Sequence, residues 1–392
     1  MISAERYARL LAERRLRYLW LASVLGRLPI GMCGLAILLL VQASRGSFAS
    51  AGVVTGAYVT GLALLAPVQG RLIDRRGPRT VLLVCAVLFP ASLLALVLAV
   101  AVRAEPALPL AFAAGAGATF PPITVCMRTF LRQRFSEDAS LATAYSLDSV
   151  LIEVMFIAGP MLVAVLIAAA TPAAAVVCAA ACGFIGTVLF TRSRALRDWR
   201  IELRDVHGGL LGPLEEPGFV GLLAVVACYA TAFGLTEIGV AAFAGEIRQP
   251  ALAGLFLAIM SATSAAGGLA YGSRHWHGAL SRQFAATLAI LGIGLLPLAL
   301  PAGGLVFSLL CALAGLVMAP ALIIQSMLVT KTARAVHMTE AFTWSTSALL
   351  VGVAVGMTLG GVLVEHWRSP AAFGAAAATA LAAATGARFL RR

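Results

Sequence analysis

The sequence predicts an all-α membrane protein with twelve transmembrane helices in two pseudo-symmetric six-helix bundles. Three observations carry that expectation. Of 392 residues, 61% are hydrophobic and only 12% charged, about half the charged share of a soluble domain. So much apolar surface cannot be hidden from water, so the bilayer must be its solvent. Charge clusters and Gly/Pro breaks then divide the chain into about twelve apolar runs, each near the ~20 residues that cross ~30 Å of hydrocarbon as a helix. Finally, one long polar stretch, 193–217, separates six runs from six. Helices are the expected element, because backbone groups in lipid must be satisfied within their own segment.

Taken in order, the chain opens with Arg6, Arg9, Arg14, Arg15 and Arg17. The apolar run behind them is too long for a signal-peptide core and has no small-residue cleavage site, so it reads as a retained first helix. The expected spans are 18–43, 50–70, 80–103, 106–130, 139–169, 172–191, 218–244, 250–272, 283–301, 303–329, 340–364 and 370–389. Spans nine and ten nearly fuse through Leu300-Pro301-Ala302-Gly303-Gly304. Residues 1–192 form the first bundle and 218–392 the second. The linker 193–217 has an amphipathic stretch at 194–205 and Gly208-Gly209. Such a division suits two repeats with a site near the bilayer midplane. Prolines 29, 67, 90, 121, 122, 160, 297 and 320 fall inside spans and predict kinks. Span eleven carries the stripe Gly352, Gly356, Gly360, and span two carries Gly56 and Gly61. Small residues at such spacing admit another backbone.

The net charge of +12 is explained by topology rather than by nucleic-acid binding. With the N-terminus inside, 24 Arg/Lys residues fall on cytoplasmic segments and only Arg45, Arg103, Arg248 and Arg368 on the opposite side. The positive-inside rule then places both termini in the cytoplasm, with some contact to anionic lipid. The seven cysteines all lie within spans and read as packing residues. Cys178 and Cys182 have no second pair to complete a metal site. His275-Trp276-His277 lacks a carboxylate or thiolate partner and reads as an interfacial anchor. No metal and no cofactor is expected.

The most specific motif lies between spans two and three: Gly70-Arg71-Leu72-Ile73-Asp74-Arg75-Arg76-Gly77-Pro78-Arg79. A charged cluster wedged between membrane-length runs reads as a ten-residue loop at the bilayer surface. Gly70 allows close helix approach and Gly77 a positive-φ turn. Asp74 suits a helix N-terminus, while Arg75 and Arg79 suit acids or lipid phosphates. The spacing Gly-x-x-x-Asp-Arg-x-Gly-x-Arg resembles the loop signature of the major facilitator superfamily. The resemblance implies alternating access, with Asp74 docking on the eleventh helix to latch the cytoplasmic side. It also implies that spans two and eleven pack together across the halves. The second half should echo the signature, but Gly268-Leu-Ala-Tyr-Gly272-Ser-Arg274 lacks the acid.

Ionisable residues inside spans are costly and read as functional. They are Arg27 in span one, Asp148 and Glu153 in span five, and Glu237 in span seven. Arg27 and Asp148 lie at similar depth, and an Arg27–Asp148 pair is the leading assignment. Glu153 and Glu237 lack an evident basic partner. A carboxyl in a low-dielectric cavity favours its protonated form, which suits proton coupling. Glu340 reads as a first-turn acid complementing the helix dipole. Tyr145, Phe156 and Phe233 stand three or four residues from these acids, on shared helix faces. Acid plus aromatic surface suits amphipathic or cationic organic molecules. Span five ends Ala158-Gly159-Pro160, a partial likeness to the Gly-x-x-x-Gly-Pro signature of proton-driven antiporters, with Met155 in place of the first glycine. The Arg those antiporters carry before Gly115-Ala116-Gly117 is here Ala111.

No phosphate-cradling motif supports an ATP-driven pump, and no nucleophile–base pair in a span supports a membrane enzyme. The expected function is proton-coupled export of a drug-like or natural-product small molecule. The alternative is uptake or facilitated exchange of a small nutrient or metabolite. The Arg-rich, Ala-rich, nearly Lys-free composition points to a GC-rich bacterial genome and the inner membrane. A monomer is expected, with protons, a small-molecule substrate and the lipid bilayer as its partners.

Overall fold

The computed structural model describes residues 14–45, 48–135, 138–193, 196, 212–249, 252–274, 276–300 and 303–390. All regular structure among them is helical, with no strand. Eleven of the described helices are long and apolar enough to cross a bilayer: Leu16–Ser44, Ser50–Arg76, Pro78–Ala101, Ala107–Arg134, Ser140–Ala169, Pro172–Arg192, Pro217–Glu246, Leu252–Gly272, Leu280–Ala299, Gly304–Thr332 and Ala335–Arg388. These are spans one to ten, and the last holds spans eleven and twelve. At 54 residues it is too long for one crossing. It breaks at Arg368, where φ is 64°, and Ser369-Pro370 starts the next helix. The linker stretches 194–195 and 197–211, with the amphipathic stretch expected there, and His275 lie outside the described residues.

The expected ten-residue loop at 70–79 is not a loop. Span two stays helical to Arg76 and span three begins at Pro78. Gly77 alone turns the chain, with φ 80° and its N–H donating to the Ile73 carbonyl at 2.8 Å. A positive-φ glycine followed by proline at the first helical position makes a one-residue turn possible.

The prolines divide into two kinds. At Pro67, Pro90 and Pro160 the helix runs through. Elsewhere it breaks. Span one is interrupted at Leu28, just before Pro29. Span four stops at Ala118 and resumes at Ile123, because tandem Pro121-Pro122 removes two donors and drives the preceding residue out of the helical region. Span ten breaks between Gly315 and Met318, where the Pro320 ring would collide with the Leu316 carbonyl of a regular helix.

Two compact units emerge. One comprises Ala8–Arg134 and Val154–Arg204, the other Phe135–Glu153 and Asp205–Arg392. Span five is therefore shared, its first half belonging to the second unit. In the first unit, glycines meet backbone directly. Gly31 of span one faces Met155 and Gly159 of span five, Gly26 faces Gly186 of span six, and Gly61 and Gly117 bring spans two and four together. Phe89, Leu93, Met32, Ile37 and Val176 fill the core between them. In the second unit, Gly234 of span seven meets Val353, while Gly352 and Gly356 of span eleven meet Ala227 and Thr231 of span seven. The span-eleven stripe is thus occupied by span seven. Gly267 and Gly315 join spans eight and ten. Phe243 stacks on Phe307 at 3.7 Å beneath Phe256 and Phe373. The pairings one/five and two/four in the first unit recur as seven/eleven and eight/ten in the second. The repeat that is degenerate in the loop motif is thus explicit in the packing.

Candidate functional site

Each helix break leaves backbone groups without a helical partner, and buried ones must be satisfied elsewhere. At the span-four break, Gln69 of span two donates its Nε2 to the carbonyls of Ala118 at 2.8 Å and Phe120 at 3.4 Å. At the span-ten break, the Ala319 N–H donates to Oγ of Ser264 in span eight at 3.0 Å. Ser264 is fully buried, and its hydroxyl donates in turn to Oε1 of Glu153 at 2.7 Å. Glu153 is half-buried near the middle of span five. The sequence marked Glu153 as an ion inside a span. The fold places it one hydroxyl away from a discontinuous helix.

Below Glu153, span five runs along span eight through a polar seam. Thr143 Oγ1 donates to the Gly272 carbonyl at 2.7 Å, and Ser146 Oγ to the Gly268 carbonyl at 2.6 Å. The residues recur at three- and four-residue steps on both helices, so one face of each is engaged.

A second buried network crosses spans seven, ten and eleven. The Tyr229 hydroxyl donates to Oε1 of Gln325, whose Nε2 donates to Oγ of Ser345 at 2.7 Å. All three side chains are buried. Phe233 and Phe284 stand edge-on to Tyr229, with ring centroids at 5.3 and 5.8 Å. Four residues beyond Phe233, Glu237 is exposed.

Arg27 ends the first helical stretch of span one, is 1% exposed, and donates Nε to the Ser23 hydroxyl at 2.9 Å. Asp148 is fully buried. Arg27 belongs to the first unit and Asp148 to the second. Tyr145 is buried edge-on against Phe342, with centroids 6.2 Å apart, so its ring packs rather than lining open space. Phe156 is exposed on the second half of span five. Of the motif residues, Asp74 is half-buried in the last turn of span two, Gly70 is buried, and Arg75 and Arg79 are exposed.

Glu340 does occupy the first turn of span eleven, but it is also 1% exposed. Its carboxylate lies beneath Gly212, where φ is 52° and an added Cβ would sit 2.9 Å from Oε2. Trp344 Nε1 donates to it at 3.4 Å and His337 Nδ1 stands 3.9 Å away. Sequence reasoning missed Gln69, Ser264, Tyr229, Gln325 and Ser345. The available signal was a polar side chain inside an apolar run, but such residues are common; bonding to a break singles out Gln69 and Ser264, and a shared buried network singles out Tyr229, Gln325 and Ser345. Among the described residues no cluster of His, Cys, Asp or Glu could hold a metal. All seven cysteines are free.

The sequence matches the family profile of the Major Facilitator Superfamily across residues 19–349. Solved structures of similar fold include a bacterial homologue of the iron transporter ferroportin in an outward-facing state, with TM-score 0.76, 16% identity and coverage of 95% of this chain and 98% of that one. The human organic anion transporter TETRAN gives TM-score 0.73 and 16% identity over 96% and 99% of the two chains. The E. coli fucose:proton symporter gives TM-score 0.71 and 14% identity over 96% and 97%. No curated protein sequence matches significantly.

Proposed function

The chain belongs to the Major Facilitator Superfamily and is a multi-pass membrane transporter, and from that premise we propose that it exports an amphipathic, cationic or drug-like small molecule in exchange for protons, by alternating access between two six-helix bundles. The observation that carries the proposal is Glu153. It is a carboxylate near the middle of span five, bonded through Ser264 to the break in span ten. Discontinuous helices at the midplane are where transporters of this kind build their sites, and an ionisable group there can take up and release a proton as the surroundings change. Glu237 makes no hydrogen bond or ion pair among the described residues, and beside Phe233 it offers negative charge next to aromatic surface, a combination that suits organic cations. Arg27 and Asp148 are the counter-charged residues of spans one and five in this proposal. Asp74 is its cytoplasmic latch, and the protein acts as a monomer in a bacterial inner membrane.

The test uses purified protein in proteoliposomes and a permanently charged amphipathic dye. Proton antiport accumulates the dye when the lumen is acidic, symport needs an acidic exterior, and facilitated exchange accumulates it under neither condition. Glu153→Gln should abolish acid-driven accumulation while sparing dye exchange, because Gln keeps size and hydrogen bonding but cannot change charge. Glu237→Gln should raise KM for cations and leave neutral substrates unaffected. If both variants retain acid-driven accumulation, neither carboxylate couples transport to protons. If the wild type accumulates the dye under neither condition, uptake or exchange of a small metabolite becomes the better description.

A further inference from the structure

We propose that Ser264 is a positioning residue that carries the protonation state of Glu153 to the break in span ten, tightening the break when the carboxyl is ionised and loosening it when it is protonated. The inference rests on the proposed proton-coupling role of Glu153. A serine hydroxyl has one proton to give and two lone pairs to receive with. In this structure its proton goes to Glu153 Oε1 at 2.7 Å, and a lone pair accepts the Ala319 N–H at 3.0 Å. A hydroxyl donating to an anion is polarised, which makes its oxygen the stronger acceptor. The ionised carboxylate therefore firms the bond that holds the Ala319 N–H, a donor without a helical acceptor because Ala319 lies in the first turn of the helix that restarts at Met318.

Adding a proton to Glu153 reverses this. A protonated carboxyl is itself a donor, so its O–H competes for the Ser264 oxygen. The charge-assisted bond becomes a neutral one of about half the strength. Ser264 is then free to turn, and the Ala319 N–H loses its polarised acceptor. The displaced Leu316 carbonyl abuts Gly267, one turn along the same face of span eight, so both sides of the break rest on span eight. Glu153 is the one titratable member of the seam. Thr143 and Ser146 bond backbone carbonyls and do not change with pH. Span eight has no charged residue between Leu252 and Gly272, and span ten has only Lys331, exposed at its cytoplasmic end. On span five the nearest charge is Asp148. Span one, packed on the second half of span five through Gly31 and Gly159, contributes Arg27.

The experiment needs no substrate, because the proton is the probe. Full-length protein in nanodiscs is titrated while two signals are followed. One is the infrared C=O stretch of the protonated carboxyl, assigned by its loss in Glu153→Gln. The other is amide-exchange protection of peptides covering 314–324, expressed as protection factors to remove the intrinsic pH dependence of exchange. In the wild type, span-ten protection should fall about tenfold with the same midpoint as the carboxyl band. In Ser264→Ala the band should still titrate, while span-ten protection stays low and flat. Ser264→Thr, which keeps the hydroxyl, should restore the response, and Ser146→Ala should weaken the seam without flattening it. The hydroxyl-bearing Ser264→Thr and the Ser146→Ala control guard against reading a folding defect as loss of the relay. A titrating band with a pH-independent span ten, or a Ser264→Ala protein that keeps the wild-type response, overturns the inference and leaves proton coupling standing. Absence of a titrating Glu153 band overturns the coupling role itself.

Discussion

Replacing Gly267 with alanine tests the packing that positions the site. A Cβ at Gly267 would lie 2.8 Å from the carbonyl carbon of Leu316 and closer still to its oxygen, against the 3.4 Å at which ordinary contact begins. The obstacle is backbone, so no rotamer change relieves it, and spans eight and ten must separate. The reciprocal Gly315 is equally crowded, against Met260 and the Thr263 hydroxyl, so the crossing cannot pivot. The Ser264–Ala319 bond, 3.0 Å long and one turn away, stretches with it. Overpacking costs about 1–3 kcal/mol, and the lost hydrogen bond adds about 0.5–1.5 kcal/mol. Gly267→Ala should therefore destabilise the protein by about 2–4 kcal/mol, read as a drop in unfolding midpoint in detergent or lipid. Gly254→Ala on the same span is the control. Nothing lies within 4 Å of a Cβ there, and alanine is the better helix former, so its effect should be within about 1 kcal/mol and favourable. If the two variants unfold together, the close crossing of spans eight and ten is not a determinant of stability.

If the proposed Arg27–Asp148 pair forms, Arg27→Ala should cost about 3–5 kcal/mol, since removing one member of a buried pair strands the other. The double neutral variant with Asp148→Asn should recover part of that loss, and strictly additive losses in the double-mutant cycle would separate the two residues. Asp74→Asn should leave membrane insertion intact and raise cytoplasmic cysteine accessibility, through loss of about 0.3–2 kcal/mol of charge–dipole attraction; unchanged accessibility with full transport would reject the latch. Ser369 starts span twelve by giving its N–H and its hydroxyl to Glu246, at 2.8 and 3.0 Å. Ser369→Ala should cost about 1 kcal/mol and Glu246→Ala measurably more, because both bonds then go; equal losses in thermal unfolding would show that the hydroxyl is the only bond that matters.

How much of this was legible depends on how local the cause is. The length of each apolar run is a property of consecutive residues and the bilayer thickness, so the spans could be read directly. The break at Arg368 was foreseen because Ser369-Pro370 is local punctuation. Glu153 and Glu237 stood out because a charge in an apolar run is rare. The loop at 70–79 was misjudged, because charged residues do not end a helix. Span two continues through Arg71 and Asp74 and stops where Gly77-Pro78 forces it to.

Which prolines break a helix was not readable. Pro90 and Pro320 look alike in sequence, yet the helix runs through one and breaks at the other. At span ten the exposed groups meet partners on span eight, the Leu316 carbonyl against Gly267 and the Ala319 N–H on Ser264. The sequence by itself determined the membrane class, the spans, the family and the ionisable residues, because each follows from hydrophobicity, charge or a short motif. Only the tertiary structure places Glu153 one hydroxyl away from the break in span ten. Its partner Ser264 is 111 residues away, and only helix packing brings that hydroxyl between a carboxylate and an unsatisfied N–H.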